Sequence, residues 1–353
     1  MIFNFIAAIF ISSLISLFLS PITKNYFTKR GWIEDPQQKQ RKTQNATALR
    51  PVPRGGGIPV YISVLITSLI FLPLDKHLFG ILLASFTVLM IGVWDDIKDI
   101  SPKLRLLTNI LSALIVVGSG IGIAYISNPF GGVINLSTPQ ITFNLFGPHT
   151  IWILSDLLAI LWIVWSMNIV GWANGVEGQL PGFVSISAIF IGILGLQYSS
   201  DITQWPVIIL AGSVAGAYLG FLPFNFFPQQ MMPGYSGKSL AGFFLAILAI
   251  LSGAKLATVI LLLGIPMIDA AFVILRRLKQ GKPIYLGDGQ HLHHRLLKHG
   301  LTRPQIAICY WMFSFILGFI SLYLNSQQKF YVFIGLILVF IGFTLQLSRH
   351  NSR

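Results

Sequence analysis

The chain has 353 residues, of which 54% are hydrophobic and only 10% charged, and its mean hydropathy is +0.74. A water-soluble domain is nearer ~45–50% apolar with about 25% charge, so this composition excludes a soluble protein and describes an integral membrane one. The formal net charge of +13 reflects membrane topology and anionic ligands or headgroups, and no nucleic-acid partner is expected.

Eleven apolar segments follow one another, beginning near Ile2, Gly57, Leu78, Leu104, Ile151, Leu180, Trp205, Ser239, Ala254, Pro304 and Phe330. Their hydrophobic runs are continuous and do not alternate, which excludes a closed barrel and predicts helices. Several fall short of the ~20 residues an untilted span prefers, and the stretch from Ser239 to Arg276 divides in more than one way. Met1 to Leu19 lacks the basic start and small-residue cleavage site of a signal peptide, so a retained first helix is expected. The single Cys309 lies inside a segment, where it reads as a small core residue with no disulfide or zinc partner.

Basic residues set the orientation. Counted along eleven spans, 21 of the 24 Lys and Arg fall on one set of loops: Lys24 to Arg54, Lys98 to Arg105, Lys238, Arg276 to Arg303 and the C-terminus. Only Lys76, Lys255 and Lys329 fall on the other set, and the loop from Ser127 to Thr150 has neither Lys nor Arg. The positive-inside rule puts the first set in the cytoplasm. The expectation is an all-α polytopic integral membrane protein of about eleven transmembrane helices, with the N-terminus outside and the C-terminus cytoplasmic. Residues 1–353 read as a single membrane domain with cytoplasmic loops near 21–56, 95–103, 168–180, 223–238 and 276–303.

Those loops carry the polar chemistry. The first holds Arg41, Lys42 and the corner Pro53-Arg54-Gly55-Gly56-Gly57, whose glycines at a helix mouth would allow close backbone approach and offer N–H groups to phosphate. The second begins Trp94-Asp95-Asp96-Ile97-Lys98-Asp99. Carboxylates crowded at a membrane face repel one another and call for a cation or a proton. If the helix runs to Asp99, then Asp95 and Asp99 share a face and Asp96 is offset by about 100°. Capping of the next helix by Asp99 or Ser101, with Pro102 at its first position, would account for one acid but not for the pair.

The third loop runs from Asn168 through Asn174-Gly175-Val176-Glu177-Gly178, placing two amides and an acid close to the bilayer. In the fourth, Gly237-Lys238-Ser239 lacks the glycine spacing and strand of a P-loop. The fifth contains Arg276-Arg277, Gly287-Asp288-Gly289-Gln290 and His291-Leu292-His293-His294-Arg295, with four of the chain's 7 histidines within nine residues. Zinc would lack cysteine and a clean helical spacing there, whereas a phosphate or diphosphate cradle uses the same donors. Asp269, after Pro266, is the one acid that reads as mid-span and is expected to support packing or the site.

Taken together, the loops resemble the polyprenyl-phosphate N-acetylhexosamine-1-phosphate transferases. This family includes undecaprenyl-phosphate N-acetylglucosamine-1-phosphate transferase and phospho-N-acetylmuramoyl-pentapeptide transferase. The resemblance covers roughly Gly31 to Gly300. It rests on Asp35-Pro36 with Arg41-Lys42, Pro53-Arg54-Gly55-Gly56, Asp95-Asp96 with Asp99, Asn168 with Asn174 to Gly178, and Gly287-Asp288-Gly289 leading into the histidines. It implies transfer of a sugar-1-phosphate from a UDP-sugar to a polyprenyl phosphate, with release of UMP and with Mg²⁺ or Mn²⁺ assisting. It implies Asp95 and Asp96 as the catalytic pair; in a rebuilt site the metal would be held by Asp95, Asp96 or Glu177 and by substrate phosphates. Asn168, Asn174, Glu177, His291, His293, His294 and Arg295 would hold the nucleotide sugar, and Arg41, Lys42 and Arg54 the lipid phosphate. The site would lie on the cytoplasmic face of the inner (plasma) membrane, in a chain able to form a homodimer through its helices. N-acetylglucosamine is the default sugar, and the product would feed a cell-envelope glycan such as cell wall or lipopolysaccharide.

Two departures stand out. The family's Asp-Gly-x-Asp-Gly reads Asn174-Gly175-Val176-Glu177-Gly178, and the acid that ligates metal in the family corresponds to Tyr235, with Lys238 in place of a serine. A neutral phenol is a poor Mg²⁺ ligand. Three readings follow: an enzyme with a rebuilt site in which Lys238 supplies compensating charge, a non-catalytic binder of polyprenyl phosphate or nucleotide sugar, and a transporter. Transport is disfavoured because the charges gather on one face and not at the midplane.

Overall fold

The computed structural model describes residues 1–37, 50–144, 148–252, 256–282 and 291–350. Long apolar runs in a bilayer must satisfy their backbone groups internally, and all eleven expected segments are helical. They are α1 (Ile2–Lys29), α2 (Gly57–Phe71), α3 (Lys76–Lys98), α4 (Pro102–Gly118), α5 (Ile153–Trp172) and α6 (Gln179–Leu196). These are followed by α7 (Trp205–Asn225), α8 (Gly234–Leu251), α9 (Leu256–Leu262), α10 (Gly264–Lys279), the short α11 (Leu292–Lys298), α12 (Arg303–Ser321) and α13 (Ser326–His350).

Among the described residues, eight helices are long and apolar enough to cross a membrane, or nine if α9 and α10 form one broken span. The axes of α9 and α10 differ by 73°. Gly264 at the break and Pro266 two residues on account for the interruption, since neither supports a continuous helix interior. The segments expected near Gly57 and Leu104 form helices of 15 and 17 residues, short of that length.

The stretch from Ser127 to Thr150, read from sequence as a plain loop, contains hairpin strands. Strands β3 (Tyr125–Ser127) and β4 (Val133–Asn135) pair antiparallel, as do β5 (Gln140–Asn144) and β6 (Pro148–Trp152). At the opposite end of the helices, β1 (Ile33–Glu34) pairs with β2 (Val52–Pro53).

Small residues decide how closely the helices approach. Gly212, Gly216 and Gly220 of α7 lie against the α1 backbone, and a Cβ at Gly216 or Gly220 would overlap the carbonyl oxygen of Ile9 or Ser13. Ser12 of α1 donates to the Ser213 carbonyl at 2.6 Å across the same contact. In contrast, Phe3, Phe10 and Phe18 project from the outer side of α1, as lipid-facing side chains should. Helix α8 is enclosed by α2, α3, α5, α6 and α7. Its first turn meets Gly57 of α2 and Gly92 of α3 at Ser236, where a Cβ on either glycine would clash. That three-helix junction brings the start of α8 against the end of α3.

Candidate functional site

The acid pair sits at the C-terminal end of α3, and the structure gives its two members different surroundings. Asp96 is buried, with Oδ1 accepting the Tyr235 N–H at 2.6 Å and Oδ2 accepting the Ser236 hydroxyl at 2.6 Å. Both donors belong to the first turn of α8, so Asp96 caps that helix from a neighbouring one and meets its positive dipole end. Gly234, at φ +69°, makes room for it, because a Cβ there would overlap both carboxylate oxygens.

Asp95 is also buried, but it faces the reversal between α3 and α4. Its Oδ1 accepts from Arg105 Nε at 2.6 Å and from the Ile100 N–H at 3.1 Å. Its Oδ2 accepts no hydrogen bond among the described residues. The helix stops one residue short of the sequence expectation. Asp99 is its left-handed C-cap at φ 55°, Ser101 caps α4 through its hydroxyl, and Pro102 begins it.

From Asp95 a chain of alternating charges extends outward. Arg105 also donates to Asp99 at 3.0 Å, Asp99 lies 3.6 Å from Arg54, and Arg54 donates to Glu34 through Nε at 2.8 Å and through Nη2. Burial works against the Arg54 cation, yet Glu34, Asp96 and Asp99 raise its pKa above the ordinary guanidinium value. Tyr235 stands inside this network, its hydroxyl donating to Asn109 Oδ1 at 3.1 Å. The Arg105 guanidinium lies 5.1 Å from its ring centroid and the Lys238 ammonium 5.5 Å. Two cations thus lie over the Tyr235 ring.

The glycine corner serves packing, contrary to its reading as a phosphate cradle. Gly56 N–H donates to the Met232 carbonyl at 3.1 Å and Gly57 N–H to the Ser236 hydroxyl at 3.2 Å. Gly55 closes against the Phe27 ring. The N–H groups of Gly56 and Gly57 are therefore spent inside the protein.

The second half of the site is built around Asp269 of α10. It accepts from the Leu292 N–H at 2.9 Å and lies 2.9 Å from His291 Nδ1, which starts α11 and aims the imidazole. The His291 ring faces Trp172 at 6.2 Å, and the aliphatic stem of Lys238 packs on Gly171. These contacts at the end of α5 join the histidine cluster to the acid cluster. His293 is stacked 5.8 Å from His291 and pressed onto Gly175. Burial, helped by His294 and His291, holds its pKa well below the usual imidazole value and keeps it neutral. Arg295 turns away to the Thr344 carbonyl at 2.7 Å.

Glu177 does not join the acid pair. It is buried and bound through both oxygens by Arg303 at 3.0 Å, which ties the third loop to α12. Asn168 donates to the Val164 carbonyl at 2.7 Å, and Asn174 lines a small crevice with Glu177, Gln229 and Met232. Arg41, Lys42 and the Gly287 to Gln290 stretch lie outside the described residues. Arg303→Ala should lower thermal stability by about 3 kcal/mol, because a buried carboxylate loses its partner. Thermal denaturation of the detergent-solubilised protein tests this, and Glu177→Gln added to the same chain should recover part of the loss.

Sequence reasoning passed over Arg105, Asn109, Ser236 and Arg303. Arg105 carried a faint signal, a cation ten residues after Asp95 across a Ser-Pro helix start. The others are recognisable only once the helices are packed.

Long apolar helices, with one incompletely engaged carboxylate and several fixed cations gathered at one end, define a multi-pass membrane protein with a polar site at the bundle's mouth. Residues 78–253 match glycosyl transferase family 4. The chain is 26% identical over 345 residues to the Bacillus subtilis protein named "Probable undecaprenyl-phosphate N-acetylglucosaminyl 1-phosphate transferase", covering 95% of this chain and 88% of that one. It is 30% identical over 295 residues to the phospho-N-acetylmuramoyl-pentapeptide-transferase of Desulfotalea psychrophila, with 77% and 79% covered. It is 27% identical over 303 residues to the decaprenyl-phosphate N-acetylglucosaminephosphotransferase of Mycolicibacterium smegmatis, with 77% and 71% covered. The chain belongs to glycosyl transferase family 4.

Proposed function

We propose that this protein is a phosphoglycosyltransferase that moves an N-acetylhexosamine-1-phosphate from a UDP-sugar to a polyprenyl phosphate at the cytoplasmic face of the plasma membrane. The observation that carries the reading is Asp95, a buried carboxylate with one oxygen fixed by Arg105 and the other accepting no hydrogen bond among the described residues, at the mouth of a family 4 bundle. In the reaction, an oxygen of the lipid phosphate attacks the sugar-bearing phosphorus of the UDP-sugar. The new P–O bond forms as the bond to the bridging oxygen breaks, UMP leaves, and a lipid-linked diphospho-sugar remains. Asp95 takes the lipid phosphate's proton or holds that phosphate in line. His291, oriented by Asp269 and facing Trp172 at the end of α5, suits the nucleotide phosphates. The distribution of Lys and Arg supports the cytoplasmic placement.

The family resemblance implies a divalent cation, Mg²⁺ or Mn²⁺, but the residues present do not fit a protein-held ion. Both oxygens of Asp96 cap α8, Asp95 Oδ1 is bound to Arg105, Glu177 is held by Arg303, and Tyr235 offers a phenol bonded to Asn109. Among the described residues no three His, Cys, Asp or Glu side chains come together to hold a metal. Lys238 and Arg105, both near the Tyr235 ring, supply positive charge where the diphosphate's charge must be met.

Release of UMP tests the reading, using purified full-length protein, undecaprenyl phosphate and a panel of UDP-sugars, with and without Mg²⁺ or Mn²⁺. Turnover with a UDP-hexosamine is expected. Lys238→Ala should weaken UDP-sugar binding by about tenfold or more, the scale of one charged hydrogen bond. Binding of UDP-sugar without turnover under any condition would leave the non-catalytic reading in its place.

A further inference from the structure

The C-terminal end of α1 and the residues that follow α7 border a cavity of about 660 Å³, within the range of ligand sites. Its wall is largely proline and phenylalanine: Pro51, Pro53, Pro223, Phe226, Phe227 and Pro228. Two cations also line it, Lys24 of α1 and Arg50 just before β2, and no carboxylate does among the described residues.

Both cations are fixed by neutral oxygens. Lys24 donates to Gln230 Oε1 at 2.9 Å, and Arg50 Nη2 donates to the Gln229 carbonyl at 2.8 Å. Neither has an acidic partner among the described residues. A cleft lined by one sign of charge focuses its field, the more so between low-dielectric walls. The cavity therefore calls for an anion, and its apolar wall for one that carries hydrocarbon. Its place in the bundle suits such a molecule. Near Lys24, the exposed side of α1 carries Phe18, Ile22 and then Tyr26, an order that marks the boundary between hydrocarbon and headgroups. Pro223 and Phe227 are exposed at the end of α7.

We infer that this cavity binds the headgroup of an anionic phospholipid, its phosphate paired with Lys24 and Arg50 and its glycerol and upper acyl carbons against Pro223 and Phe227. The distribution of Lys and Arg along the chain assigns the lipid to the cytoplasmic leaflet. A lining with two cations and no acid favours a headgroup of net negative charge over a zwitterionic one. Gln229 also borders the crevice beside Asn174, so a soluble nucleotide phosphate is the competing source of the same chemistry. The inference does not depend on the reaction proposed for Asp95 and His291.

Native mass spectrometry of the full chain in mild detergent tests the inference, with phosphatidylglycerol and phosphatidylethanolamine of equal acyl chains as probes and UMP as competitor. The first phosphatidylglycerol should bind about tenfold more tightly than the first phosphatidylethanolamine. Lys24→Gln and Arg50→Gln should each remove about fivefold of the phosphatidylglycerol affinity, the scale of one cation at a lipid headgroup, and leave phosphatidylethanolamine unaffected. Thr28→Glu puts a carboxylate one helical turn from Lys24, on the cavity wall, and disturbs neither cation's present partner. It should cost as much and serves if Arg50→Gln fails to fold. UMP should leave the lipid in place. Equal binding of the two phospholipids, phosphatidylglycerol affinity unchanged by Lys24→Gln and Thr28→Glu, or its displacement by UMP would overturn the proposal.

Discussion

Asp95→Asn is expected to reduce UMP release by about 10²–10⁴-fold, the range lost with a positioned proton-transfer group, while leaving the protein folded. The substitution is nearly isosteric. A rotamer that keeps the amide oxygen toward Arg105 Nε and the Ile100 N–H preserves both hydrogen bonds at the α3–α4 reversal. What it removes is the charge on the second oxygen, the one that accepts no hydrogen bond among the described residues. Thermal denaturation should therefore be almost unchanged, and UDP-sugar binding should persist. Activity within a few-fold of the unmodified chain would show that Asp95 is only a partner for Arg105, and the proposed role would fail.

Asp96→Ala is expected to act differently. It strips the acceptor from the Tyr235 N–H and the Ser236 hydroxyl and removes a negative charge from the dipole end of α8. Orphaned donors and a lost helix-end charge together should destabilise the fold by about 4 kcal/mol. Turnover should fall too, because Tyr235 and Lys238 ride on that first turn, but the signature is a lowered melting temperature. Asp96→Asn keeps one acceptor oxygen and should lie between the two. An Asp96→Ala protein as stable as the original but without activity would show that Asp96 takes part in chemistry and that its capping role is incidental. The pair thus separates by experiment into a chemical member and an architectural one.

Much could be read before any helix was packed. Run length and continuity of apolar residues mark where helices must form, because a bilayer leaves the backbone no other partners. The scarcity of charge makes each cluster conspicuous, so Asp95-Asp96, the Asn174 to Gly178 loop and the histidines stood out by position alone. Their order along the chain was enough to point to the family. The Ser127 to Thr150 hairpins escaped notice because their strands are short, and short strands leave little periodicity to detect.

The division of labour within those clusters came from packing. Asp95 and Asp96 are adjacent and chemically identical, yet the partners of Asp96 lie 139 and 140 residues away on α8. Glu177 looked like a candidate metal ligand until Arg303, 126 residues on, proved to hold it. Gly55, Gly56 and Gly57 have the composition of a phosphate cradle, but close contact with Phe27, Phe221 and Ser236 consumes the corner. Local sequence governs which groups can ionise or donate and which segments become helices. The register in which those helices meet governs which charges are neutralised and which keep an oxygen or a proton for chemistry.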